Sequence, residues 1–379
     1  MQLKGAGPTP FSRRGDGRAA LGPVLREYLI SEWMAAVGVR TSRALAAVTT
    51  GETIYRDTRV PGAVLTRVAA SHIRIGTFQY ASMHGTSTDV QALADYVITR
   101  HYPELRDEAQ PYLALLRAVA TAQADLIAHW MSLGFVHGVM NTDNMTVSGE
   151  TIDYGPCAFI DGFNPNASFS SIDTQGRYAY RNQPPIAQWN LARLAESLLV
   201  LLHEDEQQAI AAAMTVLNDF PALYQAARLQ RFAAKLGLQA PLASDLPLID
   251  DLLQLLAEQQ IDFTLFFREL SRPAALPGTA ASALFAEPAT FSIWQQRWLQ
   301  RLAEAALAPT ALSQQLLKAN PAFIPRNFRI EQIIDSALHG DLGPAQAFVK
   351  ASLTPFNDDA HWAELPPASF CNYQTFCGT

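Results

Sequence analysis

The sequence predicts an α+β protein whose strands lie near the N-terminus and whose remainder is largely helical. Short strand-like runs separated by turn residues occupy the first 80 residues. From about Ser87 onward, apolar residues recur three and four positions apart, which is the period of an amphipathic helix. With 379 residues, of which 49% are hydrophobic and 17% charged, the chain is long enough for two lobes with buried cores.

Three strands and one helix are predicted in the N-terminal part. Met1–Lys4 reads as a strand, and because a lone strand cannot bury itself, it needs neighbours. Pro23 opens a helix with apolar residues at helical spacing as far as Val37. Thr53–Arg56 and Ala63–Val68 are the other two strands, and Val60–Gly62 is the predicted turn between them.

Helical periodicity organises the rest of the chain. It predicts helices over Val90–Tyr102, Leu113–Leu133, Ile186–His203, Glu206–Leu217, Leu248–Gln259, Ile293–Leu307 and Ile330–Ala337. Gly134 is suited to cap the second of these, and the Pro- and Gly-containing stretch Arg272–Thr279 is the best linker. We therefore expect a partial N-terminal lobe over 1–80, a helical lobe over 81–271, and a C-terminal helical extension and tail over 272–379.

Charge and cysteine content exclude several classes of protein. The net charge of −7 argues against a general nucleic-acid binder. Neither a secretory signal nor an apolar run long enough for a membrane span stands out. The three cysteines, Cys157, Cys371 and Cys377, do not form a disulfide framework, which favours a reducing compartment and a cytoplasmic location.

One motif points to a metal and phosphate site. The protein-kinase signature is H-R-D-L-x-x-x-N followed by D-F-G, and its Asn and second Asp hold Mg²⁺ on nucleotide phosphates. His137 and Asn144 keep that spacing, and Asp153-Tyr-Gly155 stands in place of D-F-G. The catalytic Asp of kinases is replaced by Val139, while Asp143 lies beside the Asn. Asn144 and Asp153 are therefore candidate ligands of Mg²⁺ or Mn²⁺; the alternative is that they only cap turns.

The residues between these two ligands favour a hairpin. Met145–Val147 and Glu150–Ile152 flank Ser148-Gly149, a pair typical of a tight turn. Because the two ends of a hairpin lie close together, this arrangement would bring Asn144 and Asp153 near each other.

Three cations are candidates for phosphate binding, and a carboxylate is the candidate partner of one of them. Lys4 corresponds to the strand lysine of kinases, and Glu27 to its helix partner. Glu27 can equally be a favourable carboxylate near a helix N-terminus. Arg67 and Arg74 can hold phosphate oxygens through their planar guanidinium groups, although surface ion pairing is an alternative.

Together these motifs resemble the selenoprotein O family, also called the YdiU family, whose members resemble protein kinases and are protein adenylyltransferases. The resemblance is carried by Leu3-Lys-Gly-Ala-Gly7, Arg13-Arg-Gly-Asp-Gly-Arg18, Leu65-Thr-Arg-Val-Ala69, Ser71-His-Ile-Arg74, His137-Gly-Val-Met-Asn-Thr-Asp-Asn-Met145 and Ile152-Asp-Tyr-Gly-Pro156. It implies a protein-kinase-like fold with an incomplete N-lobe and a largely helical C-lobe.

The resemblance also implies an activity and a set of roles. In this family ATP is turned around relative to kinases, so that AMP passes to a Ser, Thr or Tyr hydroxyl of a protein. Nucleic acid and membrane are not implied partners. The implied nucleotide-binding residues are Lys4, with Glu27 as its ion-pair partner, Asp16, Gly17, Arg67, Arg74 and Asp153; Asn144 and Asp153 would bind Mg²⁺, and Asp143 would accept the proton.

The sequence departs from the family pattern in two places. Family members carry roughly a hundred residues before the lysine strand, about the size of such a lobe, including a Gly-rich nucleotide-binding loop, so we expect an N-terminally truncated lobe with an exposed strand edge. Cys377 resembles the near-terminal position that holds selenocysteine or cysteine in the family, but the loop Asn166–Ser171 has no cysteine to pair with it.

The leading hypothesis is thus Mg²⁺- and ATP-dependent adenylyl transfer to protein hydroxyls. An alternative of another class is a catalytically impaired pseudokinase fragment that binds a nucleotide or a partner. A small-molecule phosphotransferase is disfavoured, because Val139 stands where its catalytic Asp should be.

Overall fold

The computed structural model describes residues 1–9, 12, 15–56, 58–273, 276–304, 307–370 and 372–376. In it a small antiparallel sheet near the N-terminus precedes a predominantly helical remainder, which confirms the predicted α+β class. Arg13, Arg14, Cys371 and Cys377, which carried parts of the sequence argument, lie outside the described residues.

The strands and helices occur in the following order along the chain. The strands are β1 Gln2–Lys4, β2 Ala19–Ala20, β3 Arg43–Tyr55, β4 Arg59–Val68, β5 Phe135–Val136 and β6 Ala158–Phe159. The helices are α1 Leu21–Ala36, α2 Ile75–His84, α3 Ser87–His101, α4 Pro111–Ser132, α5 Gln183–Leu202, α6 Glu206–Leu236, α7 Leu246–Glu258, α8 Phe263–Leu270, α9 Thr279–Ser282, α10 Pro288–Ala303, α11 Pro309–Ala319, α12 Asn327–Leu338, α13 Gly343–Ser352 and α14 Ala360–Ala363.

The N-terminal sheet is organised around β4. Strands β1, β2 and β3 all pair antiparallel with it. In the β1–β4 register Gln2 lies opposite Arg67 and Lys4 opposite Leu65. Because alternate residues of a strand point to one face, Gln2, Lys4 and Arg67 share a face. Helix α1 packs against this sheet, so a charged residue of α1 can reach both strands.

The predicted turn at Val60–Gly62 is wrong, because β4 runs straight through these residues. The chain instead turns after β3, where the Arg56 amide donates to the Thr58 carbonyl at 3.0 Å. The register of β3 shifts between Thr49 and Thr53, opposite Pro61 and its neighbours. Such a bulge interrupts the ladder, and a proline without an N–H is tolerated there.

The paired hairpin predicted over residues 145–152 is also wrong. Thr146 bridges to Arg74 and Thr151 bridges to Thr41, so each flank pairs with another part of the chain. The tight turn itself is present, with Gly149 at φ +70°. The Thr146 hydroxyl accepts from the Glu150 amide at 2.9 Å and donates to its carbonyl at 2.7 Å. A side chain thus closes a turn that was expected to be closed by strand pairing.

Helix α6 continues well beyond Leu217, its predicted end, through Pro221 to Leu236. A proline inside a helix removes the hydrogen bond to the carbonyl four residues earlier, which here belongs to Leu217. The Gln188 side chain of α5 donates to that carbonyl at 2.8 Å. A contact between distant residues therefore replaces the missing bond. Helices α2, α8, α9, α11, α13 and α14 were not predicted.

The C-terminal helices pack directly onto the N-terminal part of the chain. Helices α12 and α13 both contact α1. Arg326, just before α12, is 2% exposed and donates to the carboxylates of Asp161 at 2.5 Å and Asp262 at 2.6 Å. The proposed boundary at residue 272 thus separates segments that share buried contacts. No helix among the described residues has the length and apolar character to traverse a lipid bilayer.

Lys235, near the end of α6, is a buried cation of the helical part. Its side chain contacts aromatic rings, with Nζ 4.1 Å from the Phe267 centroid and 5.6 Å from that of Phe263. Burial lowers the pKa of Lys235 to about 7, although the aromatic faces favour the charged form. The desolvation effect is the larger because the residue is only 5% exposed.

This lowered pKa predicts a pH-dependent stability. Between about pH 7 and about pH 10 the unfolded chain binds the Lys235 proton more tightly than the folded chain, so the free energy of unfolding should rise with pH. Replacing the residue, Lys235→Met, should remove on the order of a few kcal/mol from that rise. Chemical denaturation across this pH range measures it, with Lys350→Met, an exposed lysine, as the control. An unchanged slope in Lys235→Met would contradict the assignment.

Candidate nucleotide and metal site

Four charged side chains form a buried network between the sheet, α1 and the segment after the His137–Asn144 loop. Glu27 of α1 is fully buried and binds Lys4 Nζ at 2.9 Å and Arg67 Nη2 at 2.8 Å. Asp153 accepts from Arg67 Nη2 at 3.0 Å and also pairs with Lys4. The structure thus brings four of the predicted site residues together.

The network balances two cations against two anions, and this sets their protonation. Burial alone would raise the pKa of Glu27, but Arg67 and Lys4 hold it below its usual value. Burial opposes ionisation of Asp153 as well, yet Lys4 and Arg67 keep the pKa of that carboxyl low. Conversely, burial would lower the pKa of Arg67, but Glu27 raises it. Glu27, Asp153 and Arg67 are therefore charged at neutral pH.

A cleft of about 850 Å³ opens beside this network. Its lining includes Lys4, Gly17, Arg67, Arg74 and Asp143. These residues come from β1, the following loop, β4, the start of α2 and the short 3-10 turn Thr142–Asn144. The volume suits a ligand of several hundred Å³, and the three cations among these residues favour an anionic one.

The glycine-rich loop after β1 forms one wall of the cleft. Gly17 has φ +66°, and a Cβ there would lie 2.1 Å from the Gly7 carbonyl oxygen, so only glycine fits. The Gly7 amide donates to the Gly17 carbonyl at 3.0 Å, which closes the loop on itself. The closed shape of this loop therefore requires glycine at position 17.

The Asp16 carboxylate, which precedes Gly17 in the chain, forms its bonds outside the cleft. Its carboxylate accepts from both Arg56 Nη atoms at 3.0 Å and from the Arg18 amide at 3.0 Å. These bonds, chiefly the one from Arg56, lower the pKa of Asp16 to about 2. Asp16 does not belong to the described lining of the cleft, so in this structure it braces the loop against the β3–β4 connection.

The Asp143–Asn144 pair lies on a 3-10 turn that begins after Asn141, whose side chain accepts from the Asp143 amide at 3.0 Å. Asn144 Nδ2 donates to the Val139 carbonyl at 2.9 Å, which leaves Oδ1 as the atom suited to a metal. Asp143 lines the cleft, and its Oδ1 lies so close to Gly76 that a Cβ there would be 2.2 Å away.

His137 holds this turn against the segment that precedes Asp153. It is fully buried, and its Nε2 lies 2.9 Å from the Ile152 carbonyl oxygen while Nδ1 accepts from the Val139 amide at 3.4 Å. Burial lowers the pKa of His137, so the ring is neutral. Its position is that of a structural link between the two candidate metal ligands.

Asp153 has a backbone conformation that is uncommon for its residue type, with φ +65°. Non-glycine residues persist there only where the surroundings hold them, and the two cations on its carboxylate do so. Asn144 and Asp153 supply hard oxygens, which fit Mg²⁺ or a similar ion. The described residues contain no cluster of three or more His, Cys, Asp or Glu side chains suited to a metal. A metal here would need further oxygens from a phosphate ligand.

Two residues of the cleft escaped sequence reasoning. Gln2 Oε1 accepts from Arg67 Nη1 at 3.1 Å and from Arg74 Nη2 at 3.4 Å, and so ties the two arginines together. Its only sequence signal is its position two residues before Lys4, on the same face of β1. Gly76 was missed because helix α2 was not predicted.

Arg74 is a second cation beside Arg67. Burial and the neighbouring Arg67 lower the pKa of Arg74.

Comparison with known proteins places the chain among adenylyltransferases. A family model described as protein adenylyltransferase SelO matches residues 1–353. Proteins named protein nucleotidyltransferase YdiU are 52% identical in Methylorubrum populi over 393 residues, 53% in Rhodopseudomonas palustris over 385 and 52% in Geobacillus kaustophilus over 383. Each alignment covers all of this chain and 78% of the relative. The chain therefore belongs to the SelO family of protein adenylyltransferases.

Proposed function

We propose that this protein transfers AMP from ATP to the Ser, Thr or Tyr hydroxyls of other proteins, with Mg²⁺ as the metal. The observation that carries the proposal is the cleft in which Lys4, Arg67 and Arg74 face Asp143. The cations suit a polyphosphate, and the carboxylate suits a hydroxyl acceptor. The names of the relatives favour this enzyme over a pseudokinase that only binds a partner.

A protein-kinase-like fold is part of the same proposal. A strand lysine paired with a helix glutamate, followed by an Asn and an Asp on either side of a turn, is the kinase arrangement of nucleotide-binding groups. Lys4, Glu27, Asn144 and Asp153 supply these four groups, with Lys4 and Glu27 2.9 Å apart. In this proposal residues 1–80 belong to the N-lobe, 81–271 form the helical C-lobe and 272–379 the extension.

The chain's own residues would divide the reaction as follows. Lys4, Arg67 and Arg74 hold the phosphates, and Gly17 lets the backbone approach the nucleotide. The acceptor oxygen bonds to the α-phosphorus, the bond to the bridging oxygen breaks and pyrophosphate leaves. Asp143 takes the hydroxyl proton, a role that Val139 cannot fill. When bound by Asn144 and Asp153, Mg²⁺ would neutralise charge on the phosphates.

Incubation of the purified chain with a mixture of candidate acceptor proteins, ATP and Mg²⁺, followed by mass analysis, tests the proposal. An added AMP mass on an acceptor, abolished by a chelator, is the expected result. Added phosphate alone, or no addition with nucleotide binding retained, would refute the proposal.

We also propose that the protein is cytoplasmic. The buried thiol of Cys157 is compatible with a reducing compartment.

Asp143→Asn tests the proton acceptor without changing side-chain shape. We expect nucleotide affinity to stay within about twofold while transfer falls about 10²-fold or more, because a positioned general base contributes that much. Binding titrations and initial rates measure the two effects separately. Asp219→Asn, an exposed carboxylate on α6, is the matched control. Equal transfer rates for wild type and Asp143→Asn would remove Asp143 from the mechanism.

Gly76→Ala tests the same carboxylate through its position. The added methyl would lie 2.2 Å from Asp143 Oδ1, so the carboxylate must move, although alanine is favoured over glycine within a helix. We expect slower transfer with unchanged or higher thermal stability. Gly343→Ala, in the first turn of α13, is the control and should leave the rate unchanged. A Gly76→Ala enzyme with the wild-type rate would show that the position of this carboxylate does not matter.

Asp153→Ala tests the metal ligand. Removing this carboxylate should abolish the part of nucleotide affinity that depends on Mg²⁺, since it takes away one of the two protein oxygens that the proposal assigns to the metal. Titration of nucleotide with and without Mg²⁺ measures that difference, and a thermal melt confirms that the variant is folded. Retention of the full Mg²⁺-dependent gain would contradict the assignment.

A further inference from the structure

Helix α1 carries two adjacent buried charges, and only one of them faces the cleft network. Glu27 is fully buried and Arg26 is 5% exposed. Successive side chains of a helix diverge by about 100°. Glu27 therefore reaches Lys4 and Arg67 of the sheet, while Arg26 reaches a different set of partners in the C-terminal part of the chain.

The Arg26 guanidinium joins four segments of the protein. Its Nη2 donates to the Glu331 carboxylate of α12 and to the Tyr373 phenol oxygen of the C-terminal tail. Its Nη1 donates to the Cys157 carbonyl at 3.3 Å. The Tyr373 hydroxyl in turn donates to Glu331 Oε1 at 2.7 Å. Arg26, Glu331 and Tyr373 form a closed polar cluster, hereafter the tail cluster.

The tail around Tyr373 is held by contacts of its own. The Thr375 amide donates to the Phe169 carbonyl at 2.7 Å, and the Thr375 carbonyl accepts from the Ser171 amide at 3.0 Å. The Thr375 hydroxyl donates to the Pro156 carbonyl at 2.7 Å. The tail therefore lies in a defined position along the segment that follows Asp153.

Both sets of contacts converge on the backbone just after Asp153. Pro156 and Cys157, which accept from Thr375 and Arg26, lie three and four residues beyond it. On the other side, Glu27 holds Lys4 and Arg67, which bind the Asp153 carboxylate. Glu27 thus fixes the side chain of Asp153 through Lys4 and Arg67. Arg26, the residue before Glu27 in α1, holds the backbone that follows Asp153.

We propose that Tyr373 and Arg26 are positioning residues for AMP transfer: the tail cluster sets the orientation of α1 and of the backbone after Asp153, and so places Glu27 and Asp153 for catalysis. Neither residue touches the cleft in this assignment. The inference rests on the function proposed above. A buried guanidinium that loses a partner is poorly compensated, so a single tail hydroxyl can affect a site to which it is not bonded.

Tyr373→Phe is the direct test, because it removes the hydroxyl and keeps the ring that stacks on Phe370 with centroids 5.1 Å apart. We expect kcat for transfer to fall about tenfold, the scale of one lost charge-assisted hydrogen bond, and the melting temperature to fall by no more than a few degrees. Tyr96→Phe, at an exposed tyrosine of α3, should behave as wild type. Thr375→Val, which removes the bond to Pro156, should lower kcat in the same direction.

A double-mutant cycle distinguishes positioning from a general effect. If Tyr373 acts through Glu27, then Tyr373→Phe should add little to the loss already caused by Glu27→Gln, whereas independent effects would add. Additive losses, or wild-type kcat in Tyr373→Phe, would overturn the proposal.

Amide hydrogen exchange of residues 21–36 without nucleotide gives a readout that does not depend on the reaction. Exchange should be faster in Tyr373→Phe than in wild type or Tyr96→Phe. If the wild type transferred no AMP, the proposed function would fail. Hydrogen exchange would still test whether the tail cluster orients α1, and unchanged exchange in Tyr373→Phe would show that it does not.

Discussion

The buried carboxylate of Glu27 is the constraint on which the rest of the site depends. A fully buried anion is costly unless charged partners surround it, and its partners are Lys4 of β1 and Arg67 of β4. The same two cations bind Asp153. These four ion pairs together fix the register of β1 on β4, the orientation of α1 on the sheet and the position of a proposed metal ligand.

This arrangement explains why α1 is enclosed on both sides. Its inner face meets the sheet, and its outer face meets α12 and α13, where Ile334 packs close to Gly22. A buried polar network whose members are all satisfied makes the surrounding structure more rigid. In the proposed account the C-terminal helices and tail therefore help to orient α1 at the site, although they are distant from it in sequence.

Sequence reasoning succeeded where the signal was local. The periodicity of α4, α5 and α7 depends on neighbouring residues, and the structure contains these helices close to their predicted bounds. It failed where a distant partner decides the outcome. Pro221 ends a helix by local rules, yet Gln188 supplies the missing donor.

The candidate site shows the same division. A β-hairpin was predicted after Asn144 because its turn residues favour one, but Thr146 and Thr151 pair with Arg74 and Thr41 instead. Gln2 has no motif of its own, and only the β1–β4 register places it between the two arginines. Lys4 and Glu27 were paired by analogy with kinases, and the structure brings them together; their chemical roles stay predictions.

ATP that carries distinguishable labels in its α- and γ-phosphates shows whether the cleft delivers AMP or phosphate. One reaction with Mg²⁺ and an acceptor protein then reports which bond breaks. For an adenylyltransferase we expect the α label alone to become attached to the acceptor and the γ label to leave in pyrophosphate. Transfer of the γ label to the acceptor would contradict this expectation.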